Sequence, residues 1–197
     1  MRSHTVIFIG RSGCGKGTQA KLLMEHLTRE DPHRPIEYIE TGKRFRSFIE
    51  DEGYTNKLSK VIYNRGGRQP DFLAVWMWSH LFMETLSGNE HIFIDGAPRS
   101  LLEAQILDTA LSFYGRTKPL IIHLNVSRKW SEKHLMSRGR SDDIDLALIK
   151  RRLDWFEEDV VPAVEYYSNH PGYHFMEVDG EQGIDNVHNE IVENLEK

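Results

Sequence analysis

The 197-residue sequence predicts an α/β fold, a parallel sheet covered on both faces by helices. Short, continuous apolar runs recur at Thr5–Ile9, 91–94 and 120–124, too short for helices and without the alternation of a half-solvated strand. Longer stretches between them space apolar residues three and four apart, the repeat of a helix face. The first run also passes through a glycine-rich turn, Gly10-Arg11-Ser12-Gly13-Cys14-Gly15-Lys16-Gly17-Thr18, straight into helical spacing at Leu23 and Leu27.

The remaining elements follow in order. Residues 30–35, broken by Pro32 and Pro35, connect the first helix to a short strand at 36–39. A helix over 43–50 sets Phe45, Phe48 and Ile49 on one side, and another over 56–63 carries Leu58, Val61 and Ile62. Residues 65–70 form a loop whose Pro70 opens a helix over 71–86. Phe72, Trp76, Met83 and Leu86 mark its apolar side, and Trp76 and Trp78 are expected to pack in the core rather than stack on a base. The strand at 91–94 ends in Asp95-Gly96-Ala97-Pro98-Arg99, followed by a helix over 101–113. His123, in the strand at 120–124, reads as a satisfied sheet residue. A helix over 127–137 leads to the polar segment 138–143. Leu146, Ile149, Leu153, Phe156 and Val160 then mark one long amphipathic helix. A last strand at 173–178 and a closing helix over 184–195 complete the chain, with no internal repeat or low-complexity tract.

Composition narrows the function classes. Charged residues make up 28% of the chain and the net charge is −5, which disfavours a large nucleic-acid footprint. One cysteine excludes an internal disulfide framework and a cysteine zinc site. No apolar stretch approaches the roughly 20 residues that cross a bilayer, and the first four residues leave no room for a signal peptide. A soluble, cytoplasmic protein without membrane partners is expected.

The glycine-rich turn carries the clearest chemistry. Glycines between a buried strand and a helix start let backbone N–H groups curl around an anion, and the helix dipole adds positive charge there. In this pattern the amides of Gly13, Cys14, Gly15 and Gly17 cradle phosphates, Lys16 reaches the outer ones, and the Thr18 hydroxyl suits a magnesium shell. The turn therefore predicts a nucleoside triphosphate site. Ligands of parallel sheets lie beyond the carboxyl ends of the strands. Residues 10–18, Thr41 and 95–99 all follow strands on that edge, so they are expected to share one cleft.

Taken together, Gly10-x-x-Gly-x-Gly-Lys-Gly-Thr-Gln-Ala20, Thr41-Gly42 with Arg46, Asp95-Gly-x-Pro-Arg99, and Arg138-Gly-Arg-x-Asp-Asp143 with Arg152 resemble the adenylate kinase family, with the motifs in family order. The resemblance implies a P-loop NTPase fold of three α/β/α layers around a five-stranded parallel sheet in the order 2-3-1-4-5. It implies a single domain over 1–197, a monophosphate-binding segment at about 40–69 and a lid at about 137–145 without zinc. The implied activity is reversible transfer of the γ-phosphoryl group of MgATP to a nucleoside monophosphate, AMP by default, by a monomer.

Site roles come with it. Lys16, Arg99, Arg138, Arg140 and Arg152 resemble the cations around the transferring group, where planar, permanently charged guanidinium groups suit phosphate. Arg151 competes with Arg152 for the last of these roles. Thr41, Gly42, Arg46, Gln69 and Gly96 resemble the monophosphate site, shared with Arg99, Arg140 and Arg152. Asp95 resembles the carboxylate that binds Mg2+ through water, beside Thr18. Asp142 and Asp143 are expected to orient lid arginines.

The chain departs from the family pattern in places. Glu103 stands where glutamine contacts the acceptor adenine. An ionised glutamate only accepts hydrogen bonds, so discrimination for AMP is expected to relax, unless Glu103 turns to solvent. His134 stands where an arginine stacks on the donor adenine, and is expected to stack there less tightly. The shortened lid excludes water less completely, which predicts some ATP hydrolysis. An ATP-binding interaction module or slow ATPase acting on a macromolecular partner is the alternative reading of these departures.

Overall fold

The computed structural model describes residues 3–139, 143 and 145–195. Its elements run β1 (Thr5–Ile9), α1 (Lys16–Glu30), β2 (Ile36–Glu40), α2 (Thr41–Phe48), α3 (Tyr54–Asn64), α4 (Asp71–Thr85), β3 (His91–Asp95) and α5 (Leu101–Phe113). There follow β4 (Leu120–Asn125), α6 (Arg128–Arg138), α7 (Leu146–Trp155), α8 (Val161–Ser168), β5 (His174–Asp179) and α9 (Ile184–Leu195). The strands form one sheet in the order β2-β3-β1-β4-β5, and every pairing is parallel. This is the order the sequence resemblance implies.

β1 lies at the centre, with Val6 level with Phe93 of β3 on one side and Leu120 of β4 on the other. All its residues are buried, which is why it reads as a continuous apolar run. The edge strand β5 instead alternates buried Met176 and Val178 with partly or fully exposed neighbours. Successive side chains of a strand point to opposite faces. Ile7, Ile9, Ile94 and Ile121 thus join one core with Trp78, Leu81, Leu107 and Tyr167 from α4, α5 and α8. Val6, Phe8, Ile122 and Leu124 join the other with Leu23, Leu27, Val187 and Ile191 from α1 and α9.

The structure corrects the predicted face of α4. Phe72 and Met83 are each 70% exposed and Trp76 is 45% exposed, while Leu73, Ala74, Met77, Trp78, Leu81 and Phe82 are buried. Of the two tryptophans only Trp78 enters the core; Trp76 stacks on His80 at 5.2 Å. Two thirds of the positions in this 15-residue helix are apolar, so spacing alone offers more than one side for burial, and packing against the sheet and α5 selects between them. In α3, Leu58 and Val61 are likewise exposed. The long helix predicted after residue 145 is interrupted by a π-helical turn at Phe156–Val160. Pro162 follows it, and a proline has no N–H to continue an i→i−4 ladder.

At the amino-terminal edge of the sheet, His91 is fully buried. Its Nδ1 accepts from the His4 amide at 3.0 Å, while its Nε2 lacks a hydrogen-bond partner among the described residues and lies 3.8 Å from Asp31. Burial, followed by the charges of His4 and Arg34, pushes its pKa down to about 4 against the opposing pull of Asp31. The unfolded chain takes up this proton near pH 6.5 and the folded chain only near 4, so stability falls as pH drops through that window. The gap corresponds to a loss on the order of 3 kcal/mol. Chemical denaturation between pH 7 and 4 should show this decline, and His91→Asn, which keeps an acceptor for the His4 amide, should flatten it.

Candidate active site

The carboxyl ends of β1, β2 and β3 open onto one cleft of about 670 Å³. β1 delivers the phosphate loop, in which Gly10, Gly13 and Gly15 all have positive φ, and α1 begins at Lys16 immediately afterwards. Gly13, Gly15, Lys16, Gly17 and Thr18 line the cleft. Cys14 is buried in the core behind the loop. The Lys16 ammonium donates to the carbonyls of Gly10 at 2.7 Å and Arg11 at 2.9 Å.

β2 ends at Glu40 and α2 starts at Thr41, two residues before the start that spacing predicts. Thr41 is buried and donates its hydroxyl to the Gly96 carbonyl at 2.6 Å, tying the start of α2 to the end of β3. A Cβ on Gly42 would lie 3.4 Å from Arg46 Nη1 and 3.5 Å from Arg99 Nη2, so both guanidinium groups converge over this glycine. Glu40 accepts from Arg46 at 3.3 Å. Gln69 lines the cleft wall with both ends of its amide engaged: Oε1 accepts from Ser59 Oγ and Nε2 donates to the Ser59 carbonyl.

β3 ends at Asp95, a buried carboxylate that accepts from the Tyr38 hydroxyl at 3.1 Å and faces Gly17 of the phosphate loop. Arg99 turns back to donate from Nε to the Gly96 carbonyl at 2.6 Å and lies over the Trp155 ring. Burial pulls its pKa below the usual guanidinium range, with Glu103 and Asp95 opposing and Arg46 and Arg152 adding to the fall. The group nonetheless stays charged, as arginine does throughout proteins.

Arg138 and Arg152 are organised by one carboxylate. Asp143 is 4% exposed and accepts from Arg138 Nε at 2.7 Å and Arg152 Nη2 at 2.5 Å. Burial opposes its charge, but the two guanidinium groups outweigh it and hold the carboxyl below its usual range. Arg138 and Arg152 both line the cleft, whereas Arg151 points away to the Arg65 carbonyl. This favours Arg152 over Arg151 for the cleft position. Arg140 and Asp142 lie outside the described residues.

Comparison with known proteins agrees with this geometry. The adenylate kinase family profile matches residues 8–171. Adenylate kinase of Prochlorococcus marinus (strain MIT 9515) is 30% identical over 196 residues, covering 99% of this chain and all of the relative. Adenylate kinase 1 of Nostoc sp. is 29% identical over 186 residues, covering 94% of this chain and 95% of the relative. The chain belongs to the adenylate kinase family.

Within that family frame, the two residues that depart from the family pattern each take protein partners. His134 stacks on Trp130 with ring centroids 3.5 Å apart and its Nδ1 lies 3.0 Å from the Trp130 carbonyl, so its ring is engaged outside the cleft. Glu103 is 1% exposed, which overturns the reading that it turns to solvent. Its Oε1 accepts from the Trp78 indole at 3.1 Å and its Oε2 from the Arg99 amide at 2.6 Å. Ser100 Oγ accepts from the Glu103 amide and caps α5, while the Glu103 side chain reaches one residue further back, to Arg99. Burial raises the Glu103 pKa, with the Arg99 amide opposing.

Sequence reasoning missed Arg11, Tyr38 and Trp155, all of which contact the site. Arg11 and Trp155 bond to residues more than eighty positions away, which no spacing rule registers.

Gly96 has a φ of +82°, and a Cβ there would meet Arg99 Nη2 and Thr41 Oγ1, each at 2.9 Å. Gly96→Ala should therefore destabilise the fold by about 1–2 kcal/mol through its left-handed backbone alone. It should also displace Arg99, which calorimetric titration with a monophosphate would register as weakened binding.

Proposed function

We propose that the protein transfers the γ-phosphoryl group of MgATP reversibly to AMP, giving two molecules of ADP. The observation that carries this reading is the convergence of Lys16, Arg46, Arg99, Arg138 and Arg152 on a single cleft between the phosphate loop and the start of α2. Phosphoryl transfer demands little covalent chemistry of the protein; it needs two anions aligned and the developing charge neutralised. The phosphate-loop amides and Lys16 hold the donor, with Lys16 exchanging the Gly10 and Arg11 carbonyls for phosphate oxygens. Arg46 and Arg99, side by side over Gly42, grip the acceptor phosphate. Arg138 and Arg152, held by Asp143, close on the transferring group, joined by Arg140 from the lid at 137–145. Residues 40–69 serve as the monophosphate-binding segment.

A single carboxylate beside the phosphate loop suits Mg2+, which keeps most of its waters and takes one or two carboxylates plus substrate phosphates. Asp95 and the Thr18 hydroxyl would hold the ion through water, and the ion would neutralise charge on the donor phosphates.

We read Glu103 as a support within the acceptor site and AMP as the preferred acceptor. The Glu103 carboxylate supports the Arg99 backbone and the Trp78 indole, so we assign it to holding the acceptor-phosphate arginine in place.

Coupled measurement of ADP formation should show turnover that depends on AMP and is far weaker with GMP, CMP or UMP. Glu103→Gln should leave that order unchanged. Arg99→Ala should lower the rate by about 10³-fold or more, the scale of a charge-stabilising arginine. ADP formation that ignores the acceptor would point to the ATPase reading instead. Asp143→Asn, which weakens two charge-assisted hydrogen bonds, should lower kcat by about 10- to 100-fold.

A further inference from the structure

Arg11, inside the phosphate loop, extends its side chain away from the loop to the end of β4 and the helical turn that follows α7. Its Nη1 donates to the Val126 carbonyl at 2.7 Å, just beyond the end of β4. Its Nε and Nη2 both donate to Glu157 Oε1, at 3.0 and 2.5 Å, and its guanidinium lies 4.8 Å from the centre of the Phe156 ring. Phe156 and Glu157 open the π-helical turn that directly continues α7, the helix bearing Arg152. At the other end of the same residue, the Arg11 carbonyl accepts from the Lys16 ammonium. One residue therefore belongs to the loop that carries Lys16, whose ammonium donates to its carbonyl until a phosphate replaces it, and reaches the Arg152 helix through its side chain. The side chain is largely buried, at 16% exposed, and the Phe156 ring covers one face of it, which strengthens an ion pair relative to an open surface one.

We propose that Arg11 is a positioning residue for phosphoryl transfer. It is a strut that sets the spacing between the donor loop with Lys16 and the helix with Arg152, across the place where the phosphoryl group moves. The proposal rests on the kinase reading of the cleft. The chemistry favours arginine specifically: one planar guanidinium reaches the Glu157 carboxylate along one edge and the Val126 carbonyl from the remaining nitrogen, which a lysine ammonium does not do from one position. Small misplacements of groups around a reacting centre cost large factors in rate. Loss of the strut should therefore act on kcat and on donor binding more than on acceptor binding, because Arg46 and Arg99 hold the acceptor phosphate from elements the strut does not touch.

Steady-state kinetics of the full chain, with MgATP and AMP varied separately, test this. Arg11→Ala should lower kcat at least tenfold and raise KM for MgATP several-fold while leaving KM for AMP within twofold. Arg11→Lys should fall between the wild type and Arg11→Ala. Glu157→Gln should shift the same parameters in the same direction by less, because the Val126 and Phe156 contacts remain. The Arg11→Ala, Glu157→Gln double variant should be no worse than Arg11→Ala alone. Thermal melting confirms that each variant folds; should Arg11→Ala fail to fold, Glu157→Gln decides. Unchanged kcat and donor KM, equal changes in both KM values, or losses that multiply in the double variant would each overturn the strut. Absence of acceptor-dependent turnover in the wild type would instead refute the kinase reading; MgATP titration would then still compare donor binding between the wild type and Arg11→Ala, with equal affinities counting against the strut.

Discussion

Gathering several cations in one cleft is the constraint that shapes this molecule. Lys16, Arg46, Arg99, Arg138 and Arg152 must face the same space before any phosphate arrives, in a chain whose overall charge is negative. Like charges that close repel, and burial adds a desolvation penalty. Each cation is accordingly held by an oxygen of the protein: Lys16 by the loop carbonyls, Arg46 by Glu40, Arg99 by the Gly96 carbonyl, and Arg138 and Arg152 by Asp143. These contacts place the charges and leave donor hydrogens for phosphate, since guanidinium carries five N–H groups.

The anchors explain residues that look unremarkable or anomalous along the chain. Glu40, beside the Thr41-Gly42 pair, gives Arg46 a carboxylate at the near end of α2. Glu103 is buried, and its hydrogen bond from the Arg99 amide fixes the turn that carries the acceptor arginine.

The fold was readable where periodicity and length agreed. The buried strands β1, β3 and β4, the helix starts at Asp71, Leu101 and Ile184, and the glycine loop between β1 and α1 all sit where spacing and end signals place them, within a residue or so. It was not readable where the pattern was degenerate. α4 is apolar on more than one side, so the choice that buries Trp78 and exposes Phe72 belongs to its neighbours. The π-helical turn at Phe156–Val160 is equally invisible to an apolar spacing that runs smoothly through it.

By itself the sequence determined the phosphate loop, the parallel α/β order and the identity of the clustered basic residues, because each depends on short-range spacing or on ordered motifs. Tertiary structure alone decided which partner each charged side chain takes. It set Asp143 between Arg138 and Arg152, turned Glu103 toward Trp78 and the Arg99 amide, stacked His134 on Trp130, and carried Arg11 across to Glu157. Hydrogen bonds are short-ranged and directional, so a side chain bonds to whatever the packed elements bring within about 3 Å. When those elements lie far apart in the chain, residue order carries no record of the meeting.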